Sequence, residues 1–163
     1  MKLLYFFAFI SLVLESALSI YLKSPFLPLF SLTSLVILYP FFNNKDQKFI
    51  VFASLYGLFY DIVMTDTLLL NFLAFLIIGI FIVYINQFLT NNFLLVMLIT
   101  SLVIIAYRMI ILLILFLIGY SPFNMSLLTS SITSSLLANV IYAFMFYLIF
   151  DFISRKYHIN KID

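Results

Sequence analysis

Residues 93–120 read FLLVMLITSLVIIAYRMIILLILFLIGY, and the only charge among them is Arg108. An α-helix needs about 20 apolar residues to cross the hydrocarbon core of a bilayer, so this stretch can span it with some tilt. The rest of the chain has the same character. Of its 163 residues 66% are hydrophobic and 9% charged, and the mean hydropathy is +1.27. A soluble domain carries roughly 25% charged residues, so this chain has too few to coat a water-facing surface. Its apolar residues come in continuous runs, not in the alternating segments of about ten residues that mark a membrane barrel. The pattern predicts an all-α, polytopic membrane protein.

Cutting the chain at its polar and proline-bearing joints gives six candidate spans, at about 3–22, 26–42, 49–64, 68–85, 93–120 and 125–153. A polar tail, 154–163, follows. The expectation is a single transmembrane domain over 1–163, a bundle of six helices. Basic residues in short flanks mark the cytoplasmic side. With the N-terminus inside, Lys2, Lys45, Lys48, Arg155, Lys156 and Lys161 all fall inside and Lys23 alone falls outside. Both termini are therefore expected in the cytoplasm. The first span resembles a secretory leader with Ala17-Leu18-Ser19 as a cleavage site, but Glu15 near the end of its apolar core argues against removal.

Composition also excludes chemistry. The chain has no cysteine, so disulfides, thiol catalysis and cysteine metal sites are ruled out. Its one histidine, His158, lies in the polar tail, and a lone histidine without acidic neighbours makes no metal site. No cofactor is expected, and a net charge of +2 offers no nucleic-acid surface.

Charges inside spans are the informative residues, because each is costly and normally faces the bundle interior with a partner. At a rise of about 1.5 Å per residue, Glu15 lies roughly 18 Å above the inner end of the first span. Asp61 lies at about the same height on the third span, and Arg108 roughly 22 Å up the fifth. Asn71 enters the fourth span from outside. These residues, with the hydroxyl cluster 129–135 on the last span, are expected to form one polar layer in the outer half of the membrane. Arg108 would be balanced by Asp61 or Glu15; a structural lock, a substrate or ion site, and a hydrated Asp61 outside any such unit are all compatible with that placing. Asp151 and Arg155, four apart near the inner end of the last span, suit a local helical ion pair. Gly57 and Gly79 would let neighbouring backbones approach closely.

The stretch GLFYD, Gly57 to Asp61, followed ten residues later by Asn71, resembles the MreD family of rod shape-determining proteins. That family has a G-[FL]-x-x-D motif ending its third span and an asparagine opening the next. Leu69 stands where the family often carries glycine or another small residue. Glu15-Ser16-Ala17 is similar to the family's acid or glutamine followed by small residues in the first span, and Pro25 or Pro28 to its proline near the second. The resemblance covers essentially the whole chain. It implies a non-enzymatic membrane subunit of the bacterial elongation machinery, working with MreC, RodA, a class B penicillin-binding protein and, indirectly, the actin-like MreB. A homo-oligomer is left open.

Two other classes of function compete. One is the substrate-binding subunit of an energy-coupling-factor vitamin importer, also a small six-helix protein and thought to share the MreD fold. Those subunits commonly dock through an A-x-x-x-A pattern in the first span, whereas here Ala8 is followed four residues later by Leu12. The other is a membrane enzyme acting on lipid, for which converging acids, bases or metal ligands are needed and hard to assemble from three scattered charges.

Overall fold

The computed structural model describes residues 2–21, 28–42, 45–65, 67–86, 93–120 and 124–156. They form six α-helices: α1 (Lys2–Ser19), α2 (Phe30–Leu38), α3 (Asp46–Met64), α4 (Leu70–Asn86), α5 (Phe93–Leu117) and α6 (Met125–Lys156). A 3₁₀ turn, Tyr39–Phe42, continues α2. The protein is all-helical. Three helical segments, Asp46–Met64, Leu94–Leu117 and Leu128–Ile153, are long and apolar enough to cross a membrane. Leu4–Ser19, Phe30–Phe42 and Leu70–Ile85 are apolar but shorter. Lys23, Pro25, His158 and Lys161 lie outside the described residues.

The short second helix sits at the centre. All nine residues of α2 are buried, and it packs against α1, α4, α5 and α6. Its sequence, FSLTSLVIL, is apolar on every side, and a helix of that kind belongs inside a bundle. Two of its hydroxyls bond its own backbone: Thr33 Oγ1 donates to the Leu29 carbonyl at 3.1 Å and Ser34 Oγ to the Ser31 carbonyl at 2.7 Å. Pro40 has no N–H to continue the α-helical ladder, and the chain tightens into the 3₁₀ turn there. Together α2 and the turn cover roughly 20 Å, about two thirds of a bilayer core.

Four helices, α1, α4, α5 and α6, close around α2, and α3 packs on α4. The tightest pair is the antiparallel hairpin of α3 and α4, where Gly57 meets the start of α4 and Gly79 meets Ala53. Phe75 of α4 then fills the space between Tyr56 and Tyr60 of α3 and Tyr107 of α5, with ring centroids 5.9, 5.5 and 5.9 Å away. Between α1 and α6, Phe7 packs edge-on against Phe146 and Phe150, and the Ser11 and Tyr142 hydroxyls hydrogen-bond at 2.7 Å. Tyr56 ties α3 to α1 by donating to the Ala8 carbonyl at 2.7 Å.

Candidate functional site

Asp61 lies in the last turn of α3 and is fully buried. Its carboxylate reaches across to the start of α4. Oδ1 accepts the backbone N–H of Asn71 at 3.1 Å and the Asn71 side-chain amide at 2.8 Å, and Oδ2 accepts the backbone N–H of Phe72 at 3.1 Å. Thr65 Oγ1 adds a fourth bond at 3.2 Å. Asn71 and Phe72 are the second and third residues of α4. Their N–H groups are among those a helix leaves without internal partners, and a carboxylate there also meets the positive end of the helix dipole. Asp61 therefore does what an N-cap side chain does, from the neighbouring helix. The residue before α4, Leu69, carries no such oxygen.

Asn71, 1% exposed, extends the network. Its Oδ1 accepts the Tyr107 hydroxyl at 2.5 Å, linking α5 to the α3–α4 pair. Gly57 makes the approach feasible. A Cβ at that position would lie 2.5 Å from the Asn71 carbonyl oxygen and 2.7 Å from Phe75 Cβ, closer than real contacts come.

Leu69 accepts the first helical hydrogen bond of α4, from Leu73 N–H at 3.1 Å, and has φ of +71°. That is the left-handed region, where a Cβ costs roughly 1–2 kcal/mol and glycine is at ease. Its side chain is 56% exposed. Even at the centre of a bilayer, a leucine side chain returns only about 0.3–0.6 kcal/mol on insertion scales, less than the strain.

Glu15 repeats the logic on the first hairpin. It is fully buried on α1, and Oε2 accepts Ser31 N–H at 2.8 Å and Ser31 Oγ at 2.5 Å, capping the second residue of α2. Oε1 accepts the Tyr60 hydroxyl at 2.7 Å. The residue ahead of α2 is held from the other side, where Asn139 Oδ1 of α6 accepts Leu29 N–H at 2.9 Å and Thr33 Oγ1 at 3.3 Å. Each acid thus holds the N-terminus of the next helix, and a tyrosine on the following odd-numbered helix completes each network. Tyr60 immediately precedes Asp61, so the two networks stand at one level of the bundle.

Arg108 is partly buried on α5, and its charge acts on Glu15 and on the Tyr60 and Tyr107 hydroxyls. The two acids proposed as its partners are themselves bonded to helix N-termini and hydroxyls. The hydroxyl cluster 129–135 of α6 is expected to join this layer. Its buried member, Ser135, donates its hydroxyl to the Ser131 carbonyl of its own helix at 2.8 Å, and its backbone carbonyl accepts Asn139 Nδ2 at 2.8 Å. Thr129 and Thr133 are exposed and bond their own helix backbone. The reason is helical geometry: six polar residues within the seven positions 129–135 wrap around the helix, and only one face meets the interior.

Tyr60, Tyr107, Ser31 and Asn139 complete the site and carry no charge to betray them in an apolar sequence. Both tyrosines do sit directly before an intramembrane charge, Asp61 and Arg108, which is the one sequence signal that could have found them. Among the described residues no three His, Cys, Asp or Glu side chains gather as a metal site requires.

No curated protein and no solved structure matches the chain. The family model for the rod shape-determining protein MreD matches residues 1–157. Glu15, Gly57, Asp61 and Asn71, the residues of the resemblance, are thereby found at two linked helix N-termini, and the chain belongs to the MreD family.

Proposed function

We propose that this protein is a non-enzymatic, multi-pass subunit of the bacterial cell-elongation complex, that it binds MreC, and that it helps organise lateral peptidoglycan synthesis. RodA and a class B penicillin-binding protein are its wider neighbours, and MreB is linked indirectly from the cytoplasmic side. Both termini are cytoplasmic on the distribution of basic residues. One observation supports this reading above the rest: the buried acids of the family motif are engaged by hydrogen bonds within the chain. Every oxygen of Asp61 and Glu15 has a partner from the chain itself. Such a layer fixes helix ends in register and presents a shaped outer rim, which suits a binding subunit better than a site of turnover.

Tagged MreC retrieved from detergent-solubilised membranes should bring the protein with it, and depletion of the protein should round the cells. Stoichiometric capture of a vitamin by the purified protein, with no MreC retained, would overturn the proposal in favour of the importer subunit.

A further inference from the structure

The hydrogen-bonded layer gives the helices a common reference level. Glu15 of α1, Ser31 of α2, Asn71 of α4 and Tyr107 of α5 are joined in it through the adjacent Tyr60 and Asp61 of α3, and Asn139 of α6 meets Leu29 beside it. Inward from that level, α1, α3, α4 and α5 run to Lys2, Asp46, Asn86 and Phe93, roughly 20–23 Å each at 1.5 Å per residue. Outward, their lengths diverge. α1 ends at Ser19 and α3 at Met64, about 5–6 Å beyond the level, and α2 and α4 begin within a residue of it. α5 runs on to Leu117 and α6 reaches back to Met125, about 15 and 21 Å beyond it. The α5–α6 hairpin therefore stands roughly 10–15 Å taller than the other helices.

Both ends of the tall hairpin are capped. Gly119, at φ +77°, closes α5, where Tyr120 N–H donates to the Leu115 carbonyl at 2.9 Å. Asn124 Oδ1 accepts Ser126 N–H at 3.0 Å at the start of α6. Leu113, Phe116 and Leu117 are exposed on its α5 wall, and such surface calls for hydrocarbon. The low rim calls for water, since α3 runs into a joint that reads Thr65-Asp66-Thr67 in sequence. Tyrosines favour the membrane–water boundary, and Tyr21 after α1 and Tyr120 after α5, 83% and 80% exposed, stand at the low and the high rim. No flat bilayer satisfies both. Its hydrocarbon core is about 30 Å thick, against about 24 Å for the apolar Leu70–Ile85 of α4 and about 36 Å for Leu94–Leu117 of α5. A tilt of about 20° shortens the longer helix by only about 2 Å.

We propose that the bundle imposes a step on one leaflet: phospholipid is thinned against α1, α3 and α4, where shorter acyl chains are selected, and keeps its full depth beside α5 and α6. Lipid thins beside a short wall at little cost per ångström, whereas drawing a charged joint into hydrocarbon is expensive. The leaflet is the outer one on the proposed orientation, and the step itself follows from helix lengths alone.

Because the chain has no cysteine, single labels read the step. Fluorophores on Leu68→Cys, at the low rim, and on Phe116→Cys, on the tall wall, are compared in nanodiscs of dioleoyl phosphatidylcholine, where a soluble quencher reaches both faces. Iodide should quench the Leu68 label severalfold more strongly than the Phe116 label, and lipid brominated on its tails should do the reverse. That order inverts their heights along the bundle, which a flat bilayer does not do. A Leu68 label shielded from iodide, or a Phe116 label open to it, overturns the step. Thr67→Cys and Leu117→Cys give a second pair where a first variant does not fold. In mixed short- and long-tailed phosphatidylcholine, bromine on the short-tailed lipid should quench a label on Phe59→Cys, exposed on α3, more than one on Leu113→Cys. Equal quenching at the two sites overturns the selection of short chains. Capture by MreC is a separate measurement, so each of these failures leaves the proposed function standing.

Discussion

Removing the Asp61 carboxylate should loosen the start of α4 specifically. In Asp61→Ala, the N–H groups of Asn71 and Phe72 and the Asn71 amide lose their acceptor while remaining largely buried. Loss of a helix cap alone costs about 0.5–2 kcal/mol. A buried donor left unsatisfied costs about 1–3 kcal/mol, reduced here because Thr65 and Thr67 border the exposed rim and water can enter. The total is about 2–4 kcal/mol, which for a domain of this size lowers the melting temperature by roughly 4–16 °C. Asp61→Asn keeps one acceptor oxygen but turns an NH₂ group toward N–H donors, and should lose about half as much. The assay is thermal unfolding of the purified protein in a mild detergent, with amide exchange to locate the change. Exchange at residues 71–74 should accelerate while exchange in α2 stays slow. If Asp61→Ala melts with wild type and residues 71–74 remain protected, Asp61 does not cap α4 and the reasoning fails.

Four further expectations can be checked. Gly57→Ala puts a methyl within 2.5 Å of a backbone oxygen, so α3 and α4 must separate; the cost should be about 1–3 kcal/mol, read as a lower melting temperature, and a neutral result would show the pair is looser than described. Tyr107→Phe and Tyr60→Phe each remove one buried hydroxyl bond, to Asn71 and Glu15, and each should cost about 1–2 kcal/mol in the same assay, with near-neutral values contradicting the bonding. Glu15→Gln, Arg108→Met and the double substitution form a thermodynamic cycle; a coupling above about 0.5 kcal/mol is expected from the electrostatic interaction between the two residues, and additivity would remove Arg108 from the layer. Cysteines placed at Lys23 and Asn160 should label from the periplasmic and cytoplasmic sides respectively, and labelling of both from one side would refute the orientation.

Much of the fold follows from one-dimensional patterns. Apolar runs and their joints foretell six helices because each run, away from water, must satisfy its own backbone N–H and C=O groups, and the spacing from Asp61 to Asn71 places an acid at the end of one helix and an amide at the second residue of the next. Depth along a helix is also readable, which is how Glu15 and Asp61 come to be expected at one level. Which way a side chain faces around its helix is much less readable. Proximity of one arginine to two acids suggests a shared ionic centre, and the folded bundle adds partners for those acids that the sequence does not display: the free N–H groups of helices that begin at the same depth. The buried start of α2 is a case in point, since it depends on α1 and α6 meeting it with Glu15 and Asn139. Leu69 shows the reverse situation. In sequence it is only a departure from a family pattern; its meaning appears with the backbone angle.

The central claim is that the Asp61–Asn71–Tyr107 network shapes the outer rim for a membrane partner. It is tested most directly by titrating purified MreC into the protein embedded in lipid nanodiscs, comparing wild type with Asp61→Asn. Saturable binding by wild type, weakened at least about tenfold in Asp61→Asn under conditions where both remain folded, is the predicted result. Equal affinity of the two, or no saturable binding by wild type, would contradict it.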